Sequence, residues 1–441
     1  MANLNIDNMV YELVTSKDIS QKHEIAVKIR KQAQKQGIYL ASIYNLYKAR
    51  SQNKFSGFTV PAINLRALTY DLARAIFRVG NRLASSAFIL EIARSEMGYT
   101  DQSPTEYAAV CLAAALKENF KGPVFVQGDH FQVNAKKFAN NDKKETEALK
   151  DVIFDSINAG FFNIDIDSST LVDLDKSDKL EEQRLNFEIC AQMSAFIREI
   201  EPKGITVSIG GEIGEVGKAN STPEELDAFM QGYNEAISKT NKLEGLAKIS
   251  VQTGTSHGGV VLADGTVAKV KLDFDTLKIL SRNARQKYGM AGAVQHGAST
   301  LPEDAFGKFP EVETAEVHLA TQFQNMIYEH EAFGQGLRAK MYDWIGKNCA
   351  AEKKPEETDD QFIYKLRKKA LGPFKKELMD LPVATRETIA SSIQEKFEFL
   401  FKQLKIDNTR DLVAAFVLPV NIGISKELKR PAEVRHFEGD D

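Results

Sequence analysis

Cysteine is scarce in this chain, with three among 441 residues. The three are widely separated and show no C-x-x-C spacing: they are Cys111, Cys190 and Cys349. This distribution argues against a disulfide framework and against a metal site built from thiolates. We expect each cysteine to fill an apolar position on a helix.

Basic blocks and long apolar runs are also missing. The formal net charge of −4 is spread along the chain, which gives no electrostatic reason to expect nucleic acid or an anionic membrane as a partner. No apolar run is long enough to span a bilayer, and the first residues lack a basic region followed by an apolar one. We therefore expect no nucleic-acid or membrane partner and a cytoplasmic location.

The chain does contain eight short, mostly continuous apolar segments separated by amphipathic stretches. Continuous apolar segments of this length are typical of parallel strands buried on both faces. They cover residues 58–64, 87–93, 123–129, 161–167, 205–212, 248–254, 291–297 and 314–320. Eight β-then-α units over roughly 270 residues predict an α/β fold, a (β/α)8 TIM barrel.

Both flanks of the predicted barrel differ from it in pattern. We predict an N-terminal helical extension over residues 1–50, the barrel over 51–330 and a C-terminal helical extension over 331–441. Two C-terminal stretches carry apolar residues at helical spacing, so each must bury a face. These residues are Phe362, Leu366, Leu371 and Phe374, then Phe397, Leu400, Phe401 and Leu404. The faces pack on the barrel's own helices or on a partner subunit, and we favour the partner.

Polar residues cluster where the predicted strands end, which is where TIM-barrel enzymes place their chemistry. Three of the seven histidines follow strands directly, and His318 lies near the end of the eighth. Those three are His130, His257 and His296, with carboxylates nearby. Three imidazoles at one barrel mouth indicate a divalent metal of the zinc type. The alternative is that they only cap loops.

Five short motifs at these positions make the chain similar to the class II, metal-dependent ketose-bisphosphate aldolases. They read VQGDHF, IDSS, GGEIG, GTSHGG and QHGAST. The resemblance covers about residues 55–330. It implies one catalytic Zn²⁺ held by His130, His257 and His296, and it leaves a second divalent ion open. Asp167 and Glu212 map onto carboxylates that line or bind the metal region.

The resemblance also implies catalytic roles. Asp129 matches the acid/base that exchanges a proton with the C4 hydroxyl, although it could instead orient His130 from behind. The family's acidic pair after the fifth strand is replaced here by Ala219 and Asn220. Glu215 is the nearby carboxylate that could substitute, with a solvated side chain as the equal alternative.

Substrate contacts follow from the same motifs. Small-residue loops suit a phosphate held by backbone N–H groups. A lysine that many members carry after the second metal-ligand histidine is absent, which leaves one phosphate contact unassigned. Asn64 and Ser95 follow the first two strands, where turn chemistry is the alternative. His318 stands where the family has asparagine and could contact substrate, approach the metal or be structural. The substrate-binding candidates are Gly258, Gly297, Ser299, His318, Thr321, Asn64 and Ser95.

The implied function is reversible cleavage of fructose 1,6-bisphosphate to dihydroxyacetone phosphate and glyceraldehyde 3-phosphate, a step of glycolysis and gluconeogenesis. The partners are therefore a sugar bisphosphate and triose phosphates, in a homo-oligomer, dimer or tetramer. One alternative is an aldolase for tagatose 1,6-bisphosphate or another ketose phosphate. The other is a non-catalytic companion subunit of a true aldolase, although three retained metal-type histidines argue against it.

Overall fold

The computed structural model describes residues 5–214, 219–239, 243–255 and 272–420. Within these ranges eight parallel strands close into a barrel, since each pairs with the next and the last pairs with the first. In chain order, strands β1 to β9 are Ile38–Ala41, Val60–Asn64, Ile89–Ala93, Gly122–Gln132, Asn163–Asp167, Ser208–Glu212, Lys248–Val251, Ala293–Gln295 and Glu316–Leu319. The barrel consists of β2 to β9.

Helices alternate with the barrel strands and extend the chain at both ends. In chain order, α1 to α18 are Ile6–Thr15, Ile19–Lys35, Tyr44–Ser51, Thr69–Arg82, Arg94–Thr100, Pro104–Lys117, Ala135–Asn140, Asp142–Ala159, Lys179–Ile200, Pro223–Ser238, Phe274–Tyr288, Lys308–Glu311, Thr321–Glu329, Gln335–Asn348, Asp359–Leu366, Lys375–Met379, Val383–Gln403 and Arg410–Phe416. None of the described helices combines the length and apolar character needed to cross a bilayer.

The predicted (β/α)8 barrel is confirmed. Every one of the eight predicted apolar segments contains or overlaps a barrel strand. The strands are buried because helices cover the outside and side chains fill the inside, which is why their sequences do not alternate. The three cysteines are buried and free, as expected of apolar filler positions.

The predicted N-terminal extension is mainly helical, and it also contains one short strand. Strand β1 pairs in parallel with the start of β4, with Ile38 opposite Gly122 and Ala41 opposite Phe125. The sequence I-Y-L-A is apolar and includes residues that favour strands, but four residues give too short a periodic signal to recognise. The helix that follows, α3, brings the buried Tyr47 and Arg50 to the amino end of the barrel.

The C-terminal extension packs on the barrel of its own chain. Phe397 lies against Phe323 with ring centroids 4.8 Å apart, and Phe401 lies against Phe88 at 5.2 Å. Both C-terminal phenylalanines are fully buried, as is Leu404. Burying such a side chain contributes about 1.5–3 kcal/mol.

Polar contacts fix the same interface, which joins α17 to α4. Arg386 Nη1 donates to both carboxylate oxygens of Asp71, at 2.9 and 3.1 Å, and Arg78 Nε donates to Gln394 Oε1 at 2.7 Å. The preference for a partner subunit as the cover of these apolar faces is therefore wrong. The homo-oligomer and the domain division at residues 50 and 330 remain predictions.

Candidate metal and active site

A bulge in β4 brings two consecutive residues into one site. The pairing with β5 shifts between Gly128 and Phe131, which inserts one extra residue into β4. In a regular strand neighbouring side chains point to opposite faces, but here both Asp129 and His130 reach groups inside the barrel mouth. His130 has φ of +38°, a backbone conformation that costs a non-glycine residue energy and is common at functional sites.

Gly128 makes this bulge possible. A Cβ at this position would lie 2.4 Å from two ring atoms of Phe131, closer than side-chain carbon atoms can approach. Phe131 is fully buried and cannot move aside without opening the core. The glycine in the VQGDHF motif therefore allows Phe131 to fold back under the two site residues.

His130 is oriented by a carboxylate on the next strand. Its Nδ1 lies 2.9 Å from Asp167 Oδ2, and Gln132 Nε2 donates to the same oxygen at 2.6 Å. An imidazole that donates Nδ1–H to a carboxylate presents Nε2 to a cation, the usual arrangement behind a metal-bound histidine. Asp129 Oδ1 is 3.9 Å from His130 Nε2, too far for a hydrogen bond. Asp167, rather than Asp129, is thus the residue that orients His130.

Three of the predicted ligands meet at the carboxyl ends of β4, β6 and β8. We call His130, Glu212 and His296 the upper group, because their ligand atoms lie within 4.8 Å of one another at the barrel mouth. The imidazole rings are 4.2 Å apart, and Glu212 Oε2 is 3.8 Å from His296 Nδ1. Two imidazoles and one carboxylate, of which Glu212 and His296 are buried and His130 is half-buried, fit a zinc-type divalent ion.

The pKa values of His130 and His296 are shifted in opposite directions, although the two rings are in contact. Burial lowers the pKa of His130, but Asp129 and Glu212 outweigh it and raise that pKa well above its ordinary value. For His296, burial and the neighbouring imidazoles of His318 and His130 lower the pKa well below its ordinary value. His296 is therefore neutral, which is the form that binds metals.

The loops after β8 and β9 hold several predicted substrate contacts. Gly297 has φ of +68° and starts a short turn over Ala298–Thr300. Ser299 Oγ accepts a hydrogen bond from the Ala320 backbone N–H at 2.8 Å, which ties this turn to the start of α13. Thr321 is the first residue of α13 and is half-buried. These residues share one side of the mouth.

Asn64 and Ser95 lie at or just after the ends of β2 and β3, and β2 is the neighbour of β9 in the barrel. Asn64 ends β2 and donates through Nδ2 to Glu96 Oε2 at 2.5 Å. Its Oδ1 is buried and accepts no hydrogen bond from the residues that the structure describes. Ser95 lies in the first turn of α5, half-buried, and Glu96 beside it also pairs with Arg66 at 2.6 Å.

Three predicted site residues fall outside the described residues: Glu215, His257 and Gly258. The two positions that replace the family's acidic pair are described. Ala219 and Asn220 are exposed, and Asn220 Nδ2 donates to Asp273 Oδ2 at 3.2 Å. Neither of them supplies a group to the upper group.

The largest group that sequence reasoning missed lies one layer deeper in the barrel. We call it the lower polar layer, and its buried members are Glu91, Gln127, Asp165, Lys248 and Glu316. Lys248 Nζ lies 2.9 Å from Asp165 Oδ2, 2.8 Å from Gln127 Oε1 and against Glu316. Burial lowers the pKa of Lys248, but Asp165 and Glu316 raise it above its ordinary value. The lysine is therefore charged.

His318 joins this layer to Asp129. Its Nε2 lies 2.6 Å from Glu316 Oε1, and its Nδ1 lies 3.1 Å from both Asp129 Oδ1 and Glu91 Oε2. From α3, the Tyr47 hydroxyl donates to Glu316 as well. Carboxylates thus surround His318 beneath the mouth.

A sequence signal for this layer exists. Gln127, Asp165 and Glu316 each stand two residues before Asp129, Asp167 and His318, and two residues along a strand face the same side. A polar residue two positions before a site residue therefore indicates a second polar level inside the barrel.

Fold and site together define a TIM barrel that gathers metal-type ligands at the carboxyl ends of its strands. The particular family follows from the sequence. The chain matches the family model described as fructose-bisphosphate aldolase class-II over residues 45–399, and it belongs to this family. The match extends past the predicted resemblance over residues 55–330 and includes most of the C-terminal extension.

Solved structures are similar to this chain at low sequence identity. A probable tagatose 6-phosphate kinase from Sinorhizobium meliloti is 15% identical, with a TM-score of 0.55, covering 81% of this chain and 99% of its own. A fructose-bisphosphate aldolase from Campylobacter jejuni is 15% identical, with a TM-score of 0.48 and coverages of 84% and 96%. A fructuronate-tagaturonate epimerase from Cohnella laeviribosi is 13% identical, with a TM-score of 0.49 and coverages of 90% and 86%. No curated protein matches this chain in sequence.

Proposed function

We propose that this chain is a metal-dependent lyase that reversibly cleaves fructose 1,6-bisphosphate into dihydroxyacetone phosphate and glyceraldehyde 3-phosphate. The observation that supports it most is the meeting of the upper group beside Asp129, in a chain of the class-II aldolase family. His130, Glu212, His296 and the predicted ligand His257 would hold the ion. When bound, a zinc-type cation supplies Lewis-acid polarisation of a carbonyl.

Asp129 is proposed to move the proton at the C4 hydroxyl. Its contacts with the three described site histidines are made by Oδ1, which leaves Oδ2 for the substrate side. Burial raises the pKa of Asp129, but His130 and His318 outweigh it and hold that pKa well below its ordinary value. The carboxylate is therefore ionised and ready to accept a proton.

In cleavage, Asp129 takes the C4 hydroxyl proton, C4–O becomes a carbonyl and the C3–C4 bond breaks. The electron pair of that bond remains with the dihydroxyacetone phosphate part, whose carbon is then protonated. Glu215 is proposed for that second proton transfer, since Ala219 and Asn220 carry no acid. In condensation, Asp129 returns its proton to the new hydroxyl.

Substrate positioning is assigned mainly to residues at or after the ends of the neighbouring strands β8, β9, β2 and β3. Ser299 Oγ already accepts from the Ala320 N–H, so its own proton can be donated to a phosphate. Gly297, Gly258 and Thr321 are proposed to flank that phosphate. At the end of the neighbouring strand β2, the buried Asn64 Oδ1 can accept a substrate hydroxyl, with Ser95 nearby.

A coupled assay for triose phosphate tests this proposal on fructose and tagatose 1,6-bisphosphates, with and without chelator. We expect turnover of a ketose bisphosphate that chelation abolishes and added zinc or cobalt restores. His257→Ala should lose activity, whereas His23→Ala, on the distant helix α2, should not. Faster turnover of tagatose 1,6-bisphosphate would identify that sugar as the substrate, while the type of reaction would stay as proposed.

Two outcomes would overturn the proposal. Full activity in excess chelator, with borohydride trapping of a lysine adduct, would indicate a Schiff-base enzyme. Metal binding without release of triose phosphate from any ketose bisphosphate would indicate a companion subunit instead.

A further inference from the structure

His318 lies between Asp129 and the lower polar layer, and it has no part in the proposed proton transfers. It belongs to β9 and is buried. Its Nδ1 lies 3.1 Å from Asp129 Oδ1, and its Nε2 lies 2.6 Å from Glu316 Oε1. Because a carboxylate oxygen faces each ring nitrogen, both nitrogens carry protons and donate. The ring is therefore a charged bridge from Glu316 to Asp129.

The lower end of this bridge is held by three other elements of the fold. Gln127 on β4 donates through Nε2 to Glu316 Oε1 at 2.9 Å, and the ammonium of Lys248 on β7 donates to the same oxygen. The hydroxyl of Tyr47 on α3 donates to the other oxygen, Oε2. A buried carboxylate with donors from several directions has little freedom to turn. Glu316 therefore gives His318 a fixed anchor.

The plane of the His318 ring is fixed as well. The ring meets that of His296 edge-on, with centroids 4.2 Å apart and an angle of 86° between the planes. Glu91 Oε2 also lies 3.1 Å from His318 Nδ1, and that oxygen already accepts from Gln127 Nε2 at 3.1 Å. In a close-packed interior, a ring held in this way cannot rotate without displacing its neighbours. The direction of the Nδ1–H bond is therefore set by the surrounding fold.

The orientation of the Asp129 carboxylate depends on this bond. Among the residues that the structure describes, His318 is the one whose side chain donates a hydrogen bond to it. The Nε2 atoms of His130 and His296 lie 3.9 and 3.6 Å from the same oxygen, Oδ1, beyond hydrogen-bond distance. The bond from His318 thus holds Oδ1 and leaves Oδ2 for the substrate side.

We propose that His318 is a positioning residue that holds the Asp129 carboxylate by Oδ1, so that Oδ2 meets the C4 hydroxyl of the substrate. The lower polar layer anchors the ring through Glu316, and it therefore serves the chemistry at the mouth as well as the stability of the barrel. The inference rests on the proposed function, because that reaction gives Asp129 the proton transfer at C4.

Two substitutions separate the roles of the two ring nitrogens. Asparagine carries its nitrogen on Cγ, as Nδ1 is carried, so His318→Asn retains a donor towards Asp129 and loses the one towards Glu316. Glutamine carries its nitrogen two bonds from Cγ, as Nε2 is carried, so His318→Gln retains the donor towards Glu316 and loses the one towards Asp129. His318→Gln therefore keeps the anchor in the lower polar layer and removes the contact with the acid/base.

The test measures steady-state release of triose phosphate by the full-length chain at saturating zinc, with circular dichroism to establish that each variant is folded. Misplacing a catalytic group by about 1 Å can cost about 10²-fold, so His318→Gln should lower kcat by about that factor at nearly constant KM. His318→Asn should lose roughly tenfold less. His23→Gln, on the distant helix α2, is the matched control and should change neither parameter. In the Asp129→Asn background, His318→Gln should lower kcat no further, because it acts through Asp129.

Crystal structures of the variants give a readout that does not depend on activity. The Asp129 carboxylate should keep its wild-type orientation in His318→Asn and leave it in His318→Gln. An unmoved carboxylate in His318→Gln would overturn the positioning role, as would a raised KM at constant kcat, equal losses of kcat in the two variants, or a further loss in the Asp129→Asn background. A wild-type chain that released no triose phosphate would overturn the proposed function, and the crystal structures would still test whether His318 holds Asp129.

Discussion

The upper group and the lower polar layer both contain buried carboxylates, at two depths of one barrel, yet their side chains are held differently. In the upper group, Glu212 Oε2 approaches the two histidines only to 3.3 and 3.8 Å. In the lower polar layer, Lys248, Gln127 and Asp165 form hydrogen bonds of 2.8 and 2.9 Å. Residues held by longer contacts can rearrange around a ligand, whereas residues joined by short hydrogen bonds stabilise the fold.

Gly210 shows how the lower polar layer is accommodated. A Cβ at this position would lie 2.3 Å from Asp165 Oδ1 and 2.9 Å from Lys248 Cε. Glycine on β6 thus leaves the space in which the lysine reaches past one strand to its carboxylate. The ordinary apolar filling of a TIM barrel is replaced here by a buried ion network.

The largest expected effect is on catalysis at the barrel mouth. Asp129→Asn should lower kcat about 10²- to 10⁴-fold, because the positioned acid/base is lost. Its amide oxygen can still accept from His318, so the free energy of unfolding should change little. Rapid-quench or coupled assays measure the first quantity and denaturant unfolding the second. A nearly wild-type rate would show that Asp129 moves no proton.

Lys248→Met should have the opposite profile and act chiefly on stability. It leaves Asp165 and Glu316 buried without their ammonium, so we expect a loss of about 3–5 kcal/mol in the free energy of unfolding. Urea titration followed by circular dichroism measures it. Combining the change with Glu316→Gln should recover part of the loss, since the two residues are coupled. If the losses in unfolding free energy from the two substitutions simply added, Lys248 and Glu316 would not be coupled, which would contradict the buried ion network.

Tyr47→Phe tests whether a hydrogen bond to the lower polar layer stabilises the fold at the amino end of the barrel. The change removes the hydroxyl that donates to Glu316 and leaves a buried carboxylate oxygen without that donor. A hydrogen bond to a charged group contributes about 1.5–3 kcal/mol, so unfolding should become easier by that amount. Tyr11→Phe, at an exposed tyrosine bonded to Asp380, is the matched control and should change little. An equal loss of unfolding free energy in both variants would show that the buried hydrogen bond to Glu316 stabilises the fold no more than the exposed one to Asp380.

The smallest expected effect concerns substrate binding. Ser299→Ala should raise KM about tenfold and leave kcat nearly unchanged, because a hydrogen bond made equally in ground and transition states affects only binding. The exposed Ser238→Ala serves as the control. Steady-state kinetics with a ketose bisphosphate distinguish the two parameters. A fall in kcat with constant KM would move Ser299 from binding into the chemical step.

The sequence predicted the barrel well, because its strands give a repeated signal along the chain. Eight buried apolar segments predicted the strand number, and His296 directly follows β8, whereas His130 lies near the end of β4. The lower polar layer escaped notice because one charged residue within an apolar strand does not disturb its pattern. Lys248 opens a strand and its partners lie on other strands, so their pairing depends on barrel closure.

The extensions were harder to predict for a different reason. Apolar spacing in Phe397 and Phe401 correctly indicated a buried helical face, but spacing cannot say what covers it. The covering residues, among them Phe88 and Phe323, lie far away along the chain. Strand β1 is defined mainly by its pairing with β4, a long-range contact that four residues do not encode by themselves.

The most direct test of a metal centre at the barrel mouth is an anomalous difference map, recorded at the zinc edge, from crystals of the full-length chain grown with zinc. The account predicts a peak between His130, Glu212 and His296, and the same peak absent from crystals of the His257→Ala variant. A map with no peak among these three residues, from crystals of a chain that still releases triose phosphate, would contradict it.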